Sequence, residues 1–157
     1  MPATPVYALD TPRVRRLVGL PASTLDYWVR TGLVVPSVRA GSGRRVPRWW
    51  SVQDVVLVRA IKTLRDAGCP LQKVREAKSI IEAHWSERLT DYVLYWDGGD
   101  VVALDRWGNL QSLVLRPTQQ VLHLVAMPLA SWRTEARAIA IAIPHTDPPS
   151  HRRAAGA

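Results

Sequence analysis

PASTLDYWVRTGLVVPSVRAGSGRRVPRWW, residues 21–50, is the stretch whose reading decides the fold. Its first third places Leu25, Trp28 and Val29 at helical spacing as a buried stripe, leaving Ser23, Thr24, Tyr27 and Arg30 on the other side. Gly32 ends that helix, which begins near Ala22 after the turn Gly19-Leu20-Pro21. A Gly-rich tip, Gly41-Ser42-Gly43, then sits among Arg39, Arg44, Arg45 and Arg48. The flanks, 33–38 and 46–50, are rich in β-branched and aromatic residues and predict two short strands, a β-wing reversed at the glycines. Pro36 and Pro47 cannot donate to a ladder, so the ribbon should be short with free edges. A short helix held at its start by a tight turn has the shape that enters a major groove.

The charge follows the same stretch. Residues 1–90 hold 15 Lys+Arg against 7 Asp+Glu, whereas 91–157 hold 6 against 6, so the whole formal charge of +8 lies in the first part. Between 11 and 50, eight arginines face one acid, Asp26. Cations laid on phosphates release condensed counterions, so such a patch supplies salt-sensitive affinity for nucleic acid. Within the helix, the early hydroxyls Ser23 and Thr24 suit phosphates, and Arg30 suits a phosphate or a guanine edge. For Asp26 the favoured roles are pairing with Arg30 one turn on and repelling phosphates to fix the tilt of the helix; acceptance from a cytosine amino group is the third. Trp49 and Trp50 are neighbours on a strand and point to opposite faces, which favours packing of at least one over stacking on unpaired bases.

Upstream, Asp10 or Thr11 caps a helix from Thr11 or Pro12 to Val18, with Pro12 near its first position and Gly19 at its end. Val14, Leu17 and Val18 face inward, leaving Arg13, Arg15 and Arg16 in reach of a phosphate backbone. Downstream, Ser51 and Asp54 form a capping box for a third helix that carries Val52, Val55, Val56, Ala60 and Leu64 and closes at Gly68. A fourth helix opens at Pro70 and runs to about Trp85 or Arg88, with Leu71, Val74 and Ile81 inward and Ile80 as a candidate subunit contact.

The succession G-L-P-A-S-T-L-D-Y-W-V-R-T-G-L-V, wing G-S-G-R-R, S-V-Q-D-V and L-R-D-A-G-C-P-L-Q-K-V-R-E-A resembles the winged helix-turn-helix domain of MerR-type transcriptional regulators, over residues 7 to about 85. It is most similar to an actinobacterial branch carrying L-D-Y-W-x-R-T-G-L-V. The resemblance implies a homodimer with one recognition helix per subunit in successive major grooves and the wings on flanking backbone or minor groove. It places Ser23, Thr24, Tyr27 and Arg30 at DNA-facing positions and Arg48 at the wing arginine before the third helix. Arg44 and Arg45 fall near the variable wing tip, where charge and position argue for them. Many family members have Arg where this chain has Asp26, and a Ser cap where it has Pro21, so base preferences do not transfer.

Beyond residue 88 the chain departs from family members that sense metals or oxidants, which continue into a long dimerisation helix with nearby cysteines. Tyr92–Trp96 and Val101–Asp105 predict strands joined by Asp97-Gly98-Gly99-Asp100; a turn at 106–109 leads into 110–115, and a third apolar run spans 121–127. Residues 128–143 read as a helix or, from the alternation A-I-A-I-A-I, an edge strand. PHTDPPSHRRAAGA, 144–157, reads as a disordered tail. This second segment resembles the small C-terminal domains of that branch and, more faintly, antitoxin-like domains. Dimerisation is its first expected job, ahead of a protein partner or a small ligand.

With 157 residues, 47% of them apolar, the chain can bury one good core or two small ones. The expected architecture is α+β: a winged helix-turn-helix domain over 1–88 with four helices and a β-wing, a small β-rich α+β domain over 89–143, and the tail. The start has no signal-like pattern and nothing approaches ~18 consecutive apolar residues, so a cytoplasmic protein without a membrane partner is expected. One cysteine, Cys69, read as a half-buried helix-junction thiol, forbids an intrachain disulfide, and His84, His123, His145 and His151 are too scattered for a metal site. His123 and Gln119-Gln120 lack the neighbours of a reactive pocket, and there is no P-loop or nucleophile constellation. No enzyme activity, metal or cofactor is expected. The candidate DNA-binding set is Arg13, Arg16, Ser23, Thr24, Asp26, Tyr27, Arg30, Arg39, Arg44, Arg45 and Arg48. The expected function is a homodimeric, sequence-specific regulator of transcription on a near-palindromic site in double-stranded DNA. The alternative is a DNA-binding antitoxin or phage-type accessory protein whose second domain binds a protein; RNA polymerase is a further candidate partner.

Overall fold

The computed structural model describes residues 5–38, 47–83, 93–96, 101–104, 110–112 and 125–143. The chain enters as a strand, β1 (Val6–Asp10), which the sequence reading did not anticipate. Asp10 ends it and at once caps α1 (Thr11–Val18), its side chain accepting from the Arg13 amide at 2.9 Å. Gly19 adopts φ 75, and the amides of Gly19 and Leu20 both donate to the Arg15 carbonyl. That left-handed residue turns the chain into α2 (Ala22–Arg30) in three residues, with Leu20 buried beneath the turn.

Residues 33–38 form no strand. Instead the Leu33 and Val34 amides donate to the Trp28 carbonyl, wrapping the end of α2, and both side chains are buried. Only an isolated bridge, Val38 to Trp49, joins the two sides of the expected ribbon among the described residues. β2 (Trp49–Ser51) pairs antiparallel with β1 instead, Leu9 opposite Trp50. This difference has a physical reason: pairing with β1 buries Trp50 completely and brings its Nε1 within 3.1 Å of the Thr11 hydroxyl, whereas a free ribbon would leave the ring in water.

The expected capping box is present at the start of α3 (Val52–Asp66): the Asp54 amide donates to Ser51 Oγ at 3.0 Å, and the Ser51 amide to Asp54 Oδ2 at 2.9 Å. Besides the anticipated stripe, Leu57, Val58 and Ile61 are buried, so α3 is enclosed on nearly every side. It packs on α1, on α4 (Leu71–Ala83) and on α5 (Leu129–Ile139). Gly68, at φ 83, and Cys69 make the α3–α4 junction, as expected, with the thiol buried rather than half-buried. Val74, Ala77 and Ile81 carry α4 into the core.

The later strands form a four-stranded antiparallel sheet in the order β5-β4-β3-β6: β3 (Val93–Trp96), β4 (Val101–Leu104), β5 (Leu110–Ser112) and β6 (Val125–Pro128). Residues 128–143 then prove to be helix and strand in turn: α5 is followed by β7 (Ile141–Ile143), which pairs with β1 on the side away from β2. Leu94, Met127, Leu129, Trp132 and Ala136 join Leu9, Leu25, Trp50 and the α3 side chains in one core. Arg59 of α3 pairs with Glu135 of α5 and lies 5.2 Å over the Trp132 ring. The expected boundary at residue 88, the four histidines, the turns at 97–100 and 106–109, the side chain of Ile80 and the tail lie outside the described residues.

Candidate nucleic-acid interface

The surface of α2 follows from its burial. Leu25 and Trp28 are buried and Val29 half-buried; at about 100° per residue the opposite side of the helix carries Ser23, Tyr27 and Arg30, all exposed. Tyr27 keeps 48% of its surface in solvent, too much for a packing role, and the Arg30 guanidinium stands 5.9 Å from its ring centroid. Thr24, half-buried, flanks this stripe on one side and Asp26, exposed, on the other. The helix has no side-chain N-cap: Pro21 contributes only its carbonyl, which accepts from the Leu25 amide, so the first amides of α2 have no side-chain acceptor.

Asp26 is the principal correction. Arg30 turns to Tyr27, and Asp26 Oδ1 accepts instead from Arg48 Nη1 at 2.9 Å, across 22 positions of sequence. Sequence spacing favours a partner one turn away, but the bridge at Trp49 swings the neighbouring Arg48 against the Asp26 flank of α2. Both groups remain about half exposed, 49% and 57%, so the pair rims the surface of the helix.

A second clamp was legible only as a cap. Asp54 Oδ2 accepts from the Ser37 amide at 2.8 Å, the Ser37 hydroxyl at 2.7 Å and the Ser51 amide at 2.9 Å. One carboxylate thus ties both ends of the segment from 37 to 51, the base of the expected wing, to the first turn of α3. Asp54→Ala should cost about 2 kcal/mol, a helix cap plus hydrogen bonds to a charged acceptor, read as a lower midpoint in urea unfolding.

Of the remaining candidates, Arg13 is partly committed, pairing with Asp10 at its own helix start, while Arg16 is exposed. Arg15, which was not in the candidate set, donates from Nε to the Leu20 carbonyl at 3.4 Å and braces the turn. Arg39, Arg44 and Arg45 lie outside the described residues. Ser23, Thr24, Asp26, Tyr27, Arg30 and Arg48 are therefore gathered on and beside α2. Among the described residues no group of three or more His, Cys, Asp or Glu could hold a metal, and no helix is long and apolar enough to cross a membrane.

Two helices joined at Gly19-Leu20-Pro21, with the second presenting a polar face, form a helix-turn-helix. Residues 12–79, which contain it, match the family described as MerR HTH family regulatory protein. The putative heat shock protein HspR of Streptomyces coelicolor is 32% identical over 143 residues, 85% of this chain and 87% of that protein. The chain belongs to the MerR family. Proteins of Mycobacterium tuberculosis and Mycobacterium bovis, each named an uncharacterized HTH-type transcriptional regulator, are 33% identical over 90 residues. That match takes in 57% of this chain but 40% of theirs, so the chain spans well under half the length of those relatives. Residues 12–79 are thus the part of the chain that carries the MerR helix-turn-helix.

Proposed function

We propose that the protein is a sequence-specific regulator of transcription that binds double-stranded DNA as a homodimer on a near-palindromic site, with α2 in the major groove. The observation that carries this reading is the exposed face of α2: Ser23, Tyr27 and Arg30 stand in water on a helix whose other side is fixed in the core. The charge supports it, since all of the +8 belongs to the part of the chain that contains this helix. Two copies related by a two-fold axis would set their α2 helices about 34–36 Å apart, one turn of B-DNA.

In this reading Tyr27 and Arg30 address bases, Ser23, Thr24 and Arg16 address phosphates, and Arg39, Arg44 and Arg45 lay the wing on the backbone. Arg13, held by Asp10, contributes less than Arg16. Arg30→Ala should weaken binding to a selected site by roughly tenfold or more while changing non-specific binding little, read by titration of labelled duplexes. Arg44→Ala with Arg45→Ala should weaken binding to all duplexes and flatten the plot of log affinity against log salt by roughly 1–2 units. An unchanged slope removes the wing from the interface. Equal losses on specific and random DNA for Arg30→Ala remove α2 from base reading.

An adaptor role, in which the strands after residue 92 bind another protein such as a toxin or RNA polymerase, is the second reading. It is favoured by the four-stranded sheet beyond the matched region. A purified dimer that already binds its operator with full specificity, and captures no further protein, counts against it.

A further inference from the structure

We infer that Asp26 and Arg48 together form a cytosine reader at the edge of the recognition surface. The inference rests on α2 being the groove-entering helix and adds what that helix selects. A carboxylate exposed on a DNA-facing helix is repelled by phosphates but can accept from a base-edge donor. Double-stranded DNA offers few hydrogen-bond donors in the major groove: the N4 amino group of cytosine and the N6 amino group of adenine. Adenine places its N7 acceptor directly beside N6, where a second carboxylate oxygen would meet a lone pair. Cytosine has only a C–H there, so a carboxylate prefers it.

Three features of the structure fit that use. Asp26 sits on the flank of α2 one residue from Tyr27, on the exposed side of the buried stripe. Its Oδ1 is held by Arg48 Nη1 at 2.9 Å, which sets a cation beside the carboxylate and orients the side chain from the segment before β2. Its Oδ2 has no hydrogen-bond partner among the described residues, although the group is 57% exposed. That second oxygen, turned to solvent on the flank of α2, is the atom that can accept from a base edge.

The test is selection from a pool of randomised duplexes by the purified full chain, wild type against Asp26→Ala and Asp26→Asn. The expected wild-type consensus contains one C·G position in each half-site that becomes degenerate with Asp26→Ala, the other positions persisting. Discrimination at that position should fall roughly tenfold, the usual scale for one mismatched pair. Asp26→Asn, which keeps the shape and can still accept from Arg48, should shift the same position from cytosine toward adenine, whose N6 and N7 suit an amide. Unchanged preferences at every position in both variants overturn the inference and leave the pair a structural tie. If Asp26→Ala fails to fold, by its circular dichroism, the near-isosteric Asp26→Asn decides alone. Failure of the wild type to enrich any duplex, or enrichment insensitive to Arg30→Ala, is a different result and rejects the underlying placement of α2.

Discussion

Trp50→Ala should lower the free energy of unfolding by about 3–5 kcal/mol, a large part of what a domain of this size possesses. Trp50 is fully buried on β2, opposite Leu9 of β1 and in the same core as Val14, Leu25 and Val55. Removing the indole leaves a cavity between the sheet and the helices that rigid neighbours cannot fill. It also strands the Thr11 hydroxyl, which now accepts from the indole Nε1. Thr11 is the first residue of α1, so the loss reaches the start of the helix-turn-helix. Guanidinium unfolding followed by far-ultraviolet circular dichroism measures the change. Trp49→Ala, removing a half-buried ring from the adjacent position, is the comparison and should cost markedly less. Equal losses from the two would mean that β2 does not present Trp50 to the core.

The contrast between Trp49 and Trp50 also marks how much could be read from sequence. Alternation along a strand shows that adjacent rings face opposite ways, but not which of them is inside. The helices were legible because their signals are local. Asp10 and Ser51 accept from amides within three residues, Gly19, Gly32 and Gly68 adopt the positive φ that ends each helix, and the apolar stripes have one period. The pairing of the first sheet was not, because its strands come from opposite ends of the chain: β1 joins β2 on one side and β7 on the other. Val6–Asp10 alternates too weakly to announce a strand that is central in its sheet. The interface divides in the same way. The exposed stripe of α2 follows from helical periodicity, while the pairing of Arg48 with Asp26 spans 22 positions and depends on where Trp49 is held, which no local pattern announces.

Removal of residues 129–157 should unfold the whole protein, the helix-turn-helix included. The family match ends at residue 79, and the charge asymmetry invites the view that the later segment is an independent attachment. The packing argues otherwise. α5 covers one side of α3 with Leu129, Trp132 and Ala136, all buried, and β7 supplies Ile143 to the sheet that holds Trp50. Without them α3 exposes an apolar flank and β1 becomes an edge strand beside the recognition module. Loss of Leu129, Trp132 and Ile143 alone removes roughly 1.5–3 kcal/mol for each buried side chain, on the order of the marginal stability of a small domain. The ion pair of Arg59 with Glu135 adds little by comparison, because Glu135 is 44% exposed and such pairs contribute about 1 kcal/mol or less. Arg59→Met should therefore be tolerated where Trp132→Ala is not. A chain of residues 1–128 is expected to show no cooperative thermal transition and no selective DNA binding. If it melts cooperatively near the full-length temperature and retains its operator, the core does not need α5 and β7, and the two parts fold independently.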